Sequence, residues 1–373
     1  MINENTVCSK RIEALKKEIK IYENISDILI FKEEDIFYLT GFYGRNSNSV
    51  FLITENGNFL FVNFIYFEEA KNSTRDLNIE TILYNDDKNK LIADVLLENK
   101  ITDVLIQSDF ISHCQYLKME NDLRKSGIKS KSIDNPVTKF RVIKDDLEQK
   151  LIKKACSLTD KSFDFICSFK YRELLKFSES ILAIEMEKFL ISNGGDRRSF
   201  DFIFANNAGA SKPHYSSQNI KINDGLLLMD YGVLFKNYCS DMTRTIFIGN
   251  NINNKLKEIY EIVKEAQHTA VDFCREGIRA CELDRIARHL ISQKGFGKNF
   301  GHSLGHGVGI EVHEQPFINS KNEEILKEGM ILTIEPGIYI EGLGGIRIED
   351  MVIVRKNKCE NLYSSSREII NIC

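Results

Sequence analysis

The chain has 373 residues with a formal net charge of −4; 43% of its residues are hydrophobic and 28% charged. That length favours two domains over one core, and the mildly acidic balance, without a basic cluster interleaved with aromatics, excludes a nucleic-acid footprint. "MINENTVCSKRIEALKKEIK" has no apolar core of signal-peptide length, and the longest apolar runs, such as "FLFVNFIYF", are too short to cross a bilayer. A cytoplasmic protein with no membrane partner and a small polar or peptide substrate is expected. Nine cysteines without a CxxC pair indicate neither a disulfide framework nor a thiolate zinc site.

In chain order, "DILIF", "SVFLIT" and "GNFLFVNFIYF" read as strands, "DKNKLIADVLLENK" as a helix, "ITDVLIQS" as a strand, and the stretch around "HCQYLKMENDLRKSG" as a second helix. This alternation predicts an α/β domain over residues 1–136. The charged, turn-rich "SIDNPVTKFRVIKDD" reads as the linker, so a second domain is expected over 137–373. There, "DDLEQKLIKKACSLTDKSFDFICSF" and "SESILAIEMEKFLISNGG" read as amphipathic helices, followed by strands in "SFDFIFANN", "GLLLMDYGVLF" and "SDMTRTIFIG". The pattern recurs with helices in "NNKLKEIYEIVKEAQHTAVDFCREG" and "RACELDRIARHLISQKG", then strands in "ILTIEPGIYI" and "GGIRIEDMVIV". Two halves of helices followed by a strand pair carrying two carboxylates predict an α+β domain with pseudo-two-fold symmetry, although no residue string repeats.

Five residues stand out because apolar or Gly-rich runs would bury them: Asp230, Asp241, His306, Glu335 and Glu349. Buried carboxylates need a counter-charge. Any one alone reads as an ordinary ion pair; five together, with His214, His302 and His313 in or beside the same segments, point to a pair of divalent metal ions. Oxygen-rich ligation with one imidazole suits Mn, Co, Zn or Fe. Two such ions roughly 3.5–4 Å apart hold a bridging water whose pKa falls from about 15.7 towards about 7, which makes hydroxide available at neutral pH. A hairpin could set Asp230 and Asp241 face to face. Alternation groups Asp241 with Thr243 and Arg347 with Glu349, which makes Arg347 a candidate for orienting a carboxylate. Four glycines of "GHSLGHGVGIEVHE" would let backbone approach a ligand closely. His313 and Glu314 do not form an HExxH motif, so a single-zinc metalloprotease is excluded.

The combination "MDYG…SDMTRT…GHSLGHGVGIEVHE…TIEPGIY…GIRIED" resembles the pita-bread metallopeptidases, in particular the Xaa-Pro dipeptidase (prolidase) and aminopeptidase P branch. "IFYLTGFYG" resembles the creatinase-type N-terminal domain of that branch. The resemblance implies an α/β creatinase-like N-terminal domain and an α+β pita-bread catalytic domain. It implies Asp230 on one metal, Asp241 and Glu349 bridging, and His306 and Glu335 on the other, with manganese preferred and Co, Zn or Fe as alternatives. Glu335 would shuttle a proton to the departing proline nitrogen, and His214 and His313 would hold the substrate and stabilise the oxyanion. His302, Thr243 and Arg347 would support the site or the substrate. The expected activity is hydrolysis of Xaa-Pro bonds in a proline-containing di- or oligopeptide, by a metal-bridging hydroxide in a homodimer. Dipeptidase is preferred to an aminopeptidase acting on longer peptides. A non-catalytic binding protein or a metal-free creatinase-type enzyme would have lost ligands, and none is lost. One segment departs from the pattern: "ANNAGASKPHY" exchanges Asn and Gly ahead of His214, while Lys212 and Tyr215 read as loop residues without a role.

Overall fold

A computed structural model describes residues 4–23, 25–250 and 252–373. Contacts divide the chain into Met1–Arg141 and Val142–Cys373. The first unit is built on a six-stranded sheet in the spatial order Glu80–Tyr84, Asn58–Asn63, Val50–Ile53, Ile28–Ile30, Asp103–Gln107, Lys129–Ile133. Only Val50–Ile53 runs antiparallel to its neighbours. The central strands are buried on both faces, which is why they read as unbroken apolar runs. The two edge strands, "ETILY" and "KSKSI", are half-exposed, and the second is polar but for Ile133, as edges that must resist further pairing are. Sequence patterning did not reveal them, nor the helix Glu4–Glu23, whose buried stripe among the described residues is Cys8, Ile12, Leu15 and Ile19, set among many lysines.

A buried polar network closes this unit. Asp35, fully buried in the helix Glu33–Thr40, accepts from Gln107 Nε2 (2.7 Å), Asn135 Nδ2 (2.7 Å) and Arg141 Nη1 (2.9 Å). Gln107 Oε1 in turn accepts from the N–H groups of Phe31 and Lys32. The network therefore ties a helix, a central strand and the turn-rich segment before residue 142 together.

In the second unit, each half begins with two helices: Asp146–Cys167 and Glu179–Ser192 in the first, Asn254–Phe273 and Ala280–Gln293 in the second. Asp145 starts the longest of them with a capping box, its side chain accepting from Leu147 and Glu148 while Glu148 reaches back to the Asp145 N–H. The first-half sheet orders Asn371–Ile372, Met242–Ile248, Gly225–Tyr231 and Ile203–Asn206; the second-half sheet orders Glu314–Ile318, Gly305–Gly307, Ile331–Ile334, Asp350–Ile353 and Glu360–Asn361. The halves match in detail: the second helix of each is preceded by an antiparallel bridge, Ser178 to Lys221 and Arg279 to Ile325. One core joins them, with Leu226, Leu228 and Phe247 clustering with Leu332, Ile334, Ile346 and Val352. Among the described residues no helix is long and apolar enough to cross a membrane.

Asp35→Ala removes the acceptor of three donors at once and is expected to cost about 3–5 kcal/mol, as loss of one member of a buried charged pair does. A urea titration followed by circular dichroism checks this through a lower midpoint for the first unit.

Candidate metal centre

Gly225–Tyr231 runs antiparallel to Met242–Ile248 with Asp230 opposite Thr243. The hairpin between them continues through Val233–Phe235 and Tyr238–Cys239 around Lys236 (φ 49°) and Asn237 (φ 64°), the doubly left-handed turn that matches strand twist. Gly232 lies at the bend because a Cβ there would stand 1.9 Å from the Ser240 carbonyl oxygen. Asp230 and Asp241 are thus diagonal neighbours on one face rather than face to face.

Glu349 arrives from the other half. Its N–H donates to Thr243 O (3.1 Å), and its Oε2 accepts from the Thr243 hydroxyl (2.6 Å). Arg347 donates from Nε to the same hydroxyl (2.9 Å), from Nη2 to Asp230 Oδ2 (2.6 Å) and from Nη1 to Tyr339 Oη (2.8 Å). Arg347 therefore orients Asp230 directly and Glu349 through Thr243. Tyr339 Oη donates onward to His302 Nε2 (2.9 Å), and His302 Nδ1 donates to Ser303 O (2.8 Å). That fixes a neutral imidazole, consistent with burial lowering its pKa.

His306 lies on Gly305–Gly307. Its N–H donates to Thr333 Oγ1 (3.0 Å) and its Nδ1–H to Gly307 O (3.1 Å), so Nε2 turns towards Glu335 Oε1 (3.3 Å) and Asp241 Oδ2 (3.7 Å). Glu335 is held by its own N–H on Leu304 O (2.8 Å) and by the Thr333 hydroxyl on Oε1 (3.2 Å). Glycines around His306 serve strand packing rather than ligand approach: a Cβ on Gly305 would meet Thr333 O at 2.0 Å, and one on Gly307 would meet Gln315 O at 2.1 Å.

All five residues line one cavity of about 420 Å³, together with His214, His302, His313 and Arg347. Phe200, Ile203, Pro213 and Phe317 supply its apolar walls. The His313 ring lies 4.3 Å from that of His306. The loop before His214 forms despite its exchanged order. Asn207 takes a left-handed φ of 52°, its Oδ1 accepts from Leu226 N (3.0 Å), and its Nδ2 donates to Asp224 O (2.9 Å).

A family model described as metallopeptidase family M24 matches residues 150–356. The chain belongs to that family. A second model, the creatinase/prolidase N-terminal domain, matches residues 11–143. An Xaa-Pro dipeptidase of Pyrococcus horikoshii is 37% identical over 362 residues, covering 96% of this chain and 99% of the relative. Among solved structures, an Xaa-Pro dipeptidase from Bacillus anthracis superposes with a TM-score of 0.89 at 32% identity, over 98% of this chain and 99% of that one. An X-Pro aminopeptidase from Thermotoga maritima does so with a TM-score of 0.84 at 30% identity, over 97% and 100%. The architecture is a creatinase-type N-terminal domain with an M24 pita-bread catalytic domain.

Electrostatics in this M24 cavity call for cations. Burial, then repulsion from the other carboxylates, raises Asp241 and Glu349 well above the usual range. Burial also raises Asp230, although Arg347 opposes it. Glu335 goes the other way: burial pushes it up, but the His306 hydrogen bond and nearby positive charge outweigh that and hold it at about 2. Burial lowers His306, and Glu335 overcomes it to leave the imidazole raised. With Nδ1–H committed to Gly307, Nε2 and Glu335 Oε1 are two facing acceptors that require a proton or a metal ion between them. Asp230 Oδ1 and Asp241 Oδ1 are buried without a hydrogen-bond partner among the described residues. Asp241, His306 and Glu349 each offer an atom within 4.8 Å of the others. The donor set therefore fits the divalent ions that a metallopeptidase of this family requires.

Sequence reading passed over the residues behind the site. Arg244 donates to Glu349 O (2.6 Å) and Asp350 Oδ1 (2.8 Å), and Tyr363 Oη donates to Asp241 O (2.7 Å). A signal existed for the first pair, since Arg244 beside Thr243 and Asp350 beside Glu349 stand in apolar strands and must face the other side and find each other.

Glu349→Gln keeps an acceptor for Thr243 while removing a buried charge. In metal-free protein it is expected to raise Tm by about 2–4 °C, the shift that about 1 kcal/mol gives in a domain of this size, while abolishing the Tm increase produced by added Mn. Differential scanning calorimetry with and without chelator checks both.

Proposed function

We propose that this chain hydrolyses Xaa-Pro dipeptides as a dinuclear-metal peptidase. The observation that carries the reading is the convergence of orphaned carboxylate oxygens and His306 Nε2 on one cavity. In this reading Asp230, Asp241, His306, Glu335 and Glu349 would together hold two divalent ions. Bound there, the ions supply Lewis acidity, polarising a peptide carbonyl and easing the ionisation of water. Manganese is preferred, and cobalt, zinc and iron suit the same ligands.

The protein's own groups supply the rest. Nδ1–H of His306 stays on Gly307 O, which keeps Nε2 available as a lone pair. Glu335, ionised at neutral pH, accepts the proton of the attacking water and delivers it to the proline nitrogen as the C–N bond breaks. His214 and His313 reach the substrate from the cavity wall and donate to the carbonyl oxygen as it becomes an oxyanion. Proline brings no N–H, so the cleft needs no acceptor opposite that nitrogen. The apolar walls can take the pyrrolidine ring and exclude water from it. A volume of about 420 Å³ lies within the range of ligand pockets, roughly 300–1,000 Å³, and suits a small peptide; likeness to the Pyrococcus horikoshii Xaa-Pro dipeptidase favours a dipeptide. Likeness to the Thermotoga maritima X-Pro aminopeptidase makes cleavage of longer peptides the second reading. A cytoplasmic homodimer completes the proposal; nine free thiols support the compartment, and the family resemblance supports the dimer.

Protein stripped with chelator and reconstituted with Mn is expected to cleave Ala-Pro with a kcat/KM at least about tenfold above that for Ala-Pro-Ala, a difference of about 1.4 kcal/mol. The reverse order would make it an aminopeptidase, and no cleavage of either peptide with Mn, Co, Zn or Fe would sink the reading. Asp241→Ala is expected to lower kcat/KM by about a thousandfold or more, beyond the 10–100-fold typical of residues that only support a metal ligand. An unchanged far-UV spectrum would show that the fold survives.

A further inference from the structure

Glu179 is the first residue of the helix Glu179–Ser192, only 2% exposed, and lies outside the metal cavity. All its acceptor capacity is directed at one loop. Oε1 accepts from Asn206 N (2.7 Å), and Oε2 accepts from Tyr215 Oη (2.9 Å) and Gln218 N (3.0 Å). The helix start adds two backbone bonds to the same stretch, Glu179 N to Ile220 O and Ser180 N to Gln218 O, both 3.1 Å. A carboxylate in the first helical turn also lies where the helix dipole favours negative charge. The loop folds over the Tyr215 ring: a Cβ on Gly209 would stand 3.0 Å from Tyr215 Cζ. Burial, then the bond to Glu179, pushes the Tyr215 phenol up to about 12, so it remains a donor at every working pH. His214, the residue just before Tyr215, faces the cavity and makes no hydrogen bond among the described residues, which leaves its ring for substrate.

We propose that Glu179 and Tyr215 are positioning residues that clamp the loop 206–218 so that His214 meets the substrate, an inference that rests on the substrate role given to His214 above. The clamp fixes the backbone on both sides of His214 while leaving the imidazole free. It assigns a role to Tyr215 and to a buried carboxylate that no metal needs.

Tyr215→Phe removes one hydroxyl and keeps the ring. It is expected to lower kcat/KM for Ala-Pro about tenfold, the size of one charge-assisted hydrogen bond, since His214 meets the carbonyl oxygen most strongly in the transition state. Amide hydrogen exchange across residues 212–218 should accelerate. On a His214→Ala background the same change should move kcat/KM by less than about twofold, because both act at one contact. Glu179→Gln, which sets an amide donor against the two N–H groups and the phenol, should move kcat/KM in the same direction and further. An unchanged kcat/KM in Tyr215→Phe, a full tenfold effect on the His214→Ala background, or a wild-type kcat/KM in His214→Ala itself would overturn the clamp. If the wild-type protein cleaves no Xaa-Pro peptide, the functional reading fails separately. Exchange then decides: acceleration confined to 212–218 in Tyr215→Phe upholds the clamp, and unchanged exchange overturns it.

Discussion

Four buried carboxylates, Asp230, Asp241, Glu335 and Glu349, share one cavity with a single guanidinium, Arg347, and this uncompensated negative charge constrains the rest of the catalytic domain. Each ionised oxygen taken from water is costly unless a cation replaces the lost solvation. Arg347 answers for Asp230, and the His306–Glu335 pair can share a proton, but Glu349 is left with the Thr243 hydroxyl and Asp241 with the distant edge of the His306 ring (3.7 Å). A folded metal-free protein must therefore hold groups that repel one another. It can do so only because the strands bearing them are fixed by interactions away from the cavity.

Strand alternation divides that work. In "DMTRT" and "RIED", Thr243 and Glu349 face the metal site, while Arg244 and Asp350 face away from it. Fully buried, Asp350 accepts from Arg244 (2.8 Å), Arg367 (2.6 Å), Gln267 (2.6 Å) and Asn361 (3.0 Å). These cations outweigh burial and lower its pKa. Consecutive residues, Glu349 and Asp350, thus set an under-compensated carboxylate on one side of the segment and a saturated one on the other. The saturated side locates the strand, so the unsaturated side can wait for metal without collapsing onto a protein donor.

That contrast explains how much the sequence disclosed. The convergence of four acids and His306 on one cavity was legible because acidic residues in strongly apolar runs are rare, and the two-half architecture was legible because its helices carry broad apolar stripes. What escaped notice was mostly relational. Nothing near Tyr339 or Tyr363 announces that one bridges Arg347 to His302 or that the other grips the Asp241 backbone, since a tyrosine in a strand or loop is ordinarily core. Nor does anything near Asp35 announce that Gln107, Asn135 and Arg141 converge on it from distant positions. The exchanged order of Asn and Gly before His214 looked disruptive, yet asparagine tolerates the left-handed backbone at 207 and its side chain ties down Leu226.

The pseudo-symmetry extends beyond the helices and sheets to the loops that enter the cleft. In the first half, a buried acid near the start of the second helix, Glu179, accepts backbone N–H groups from the segment that carries His214. In the second half, Asp284, fully buried in Ala280–Gln293, accepts from Leu304 N (3.2 Å) and binds Arg288 through both oxygens. Arg288 then donates to Phe300 O (2.9 Å) and His302 O (2.8 Å). Each half thus uses one carboxylate, removed from the chemistry, to hold the histidine-bearing loop that follows its helices. A duplicated solution of this kind suits a site whose own carboxylates repel one another, because loops fixed from outside the cavity need none of the cavity's charge to stay in place.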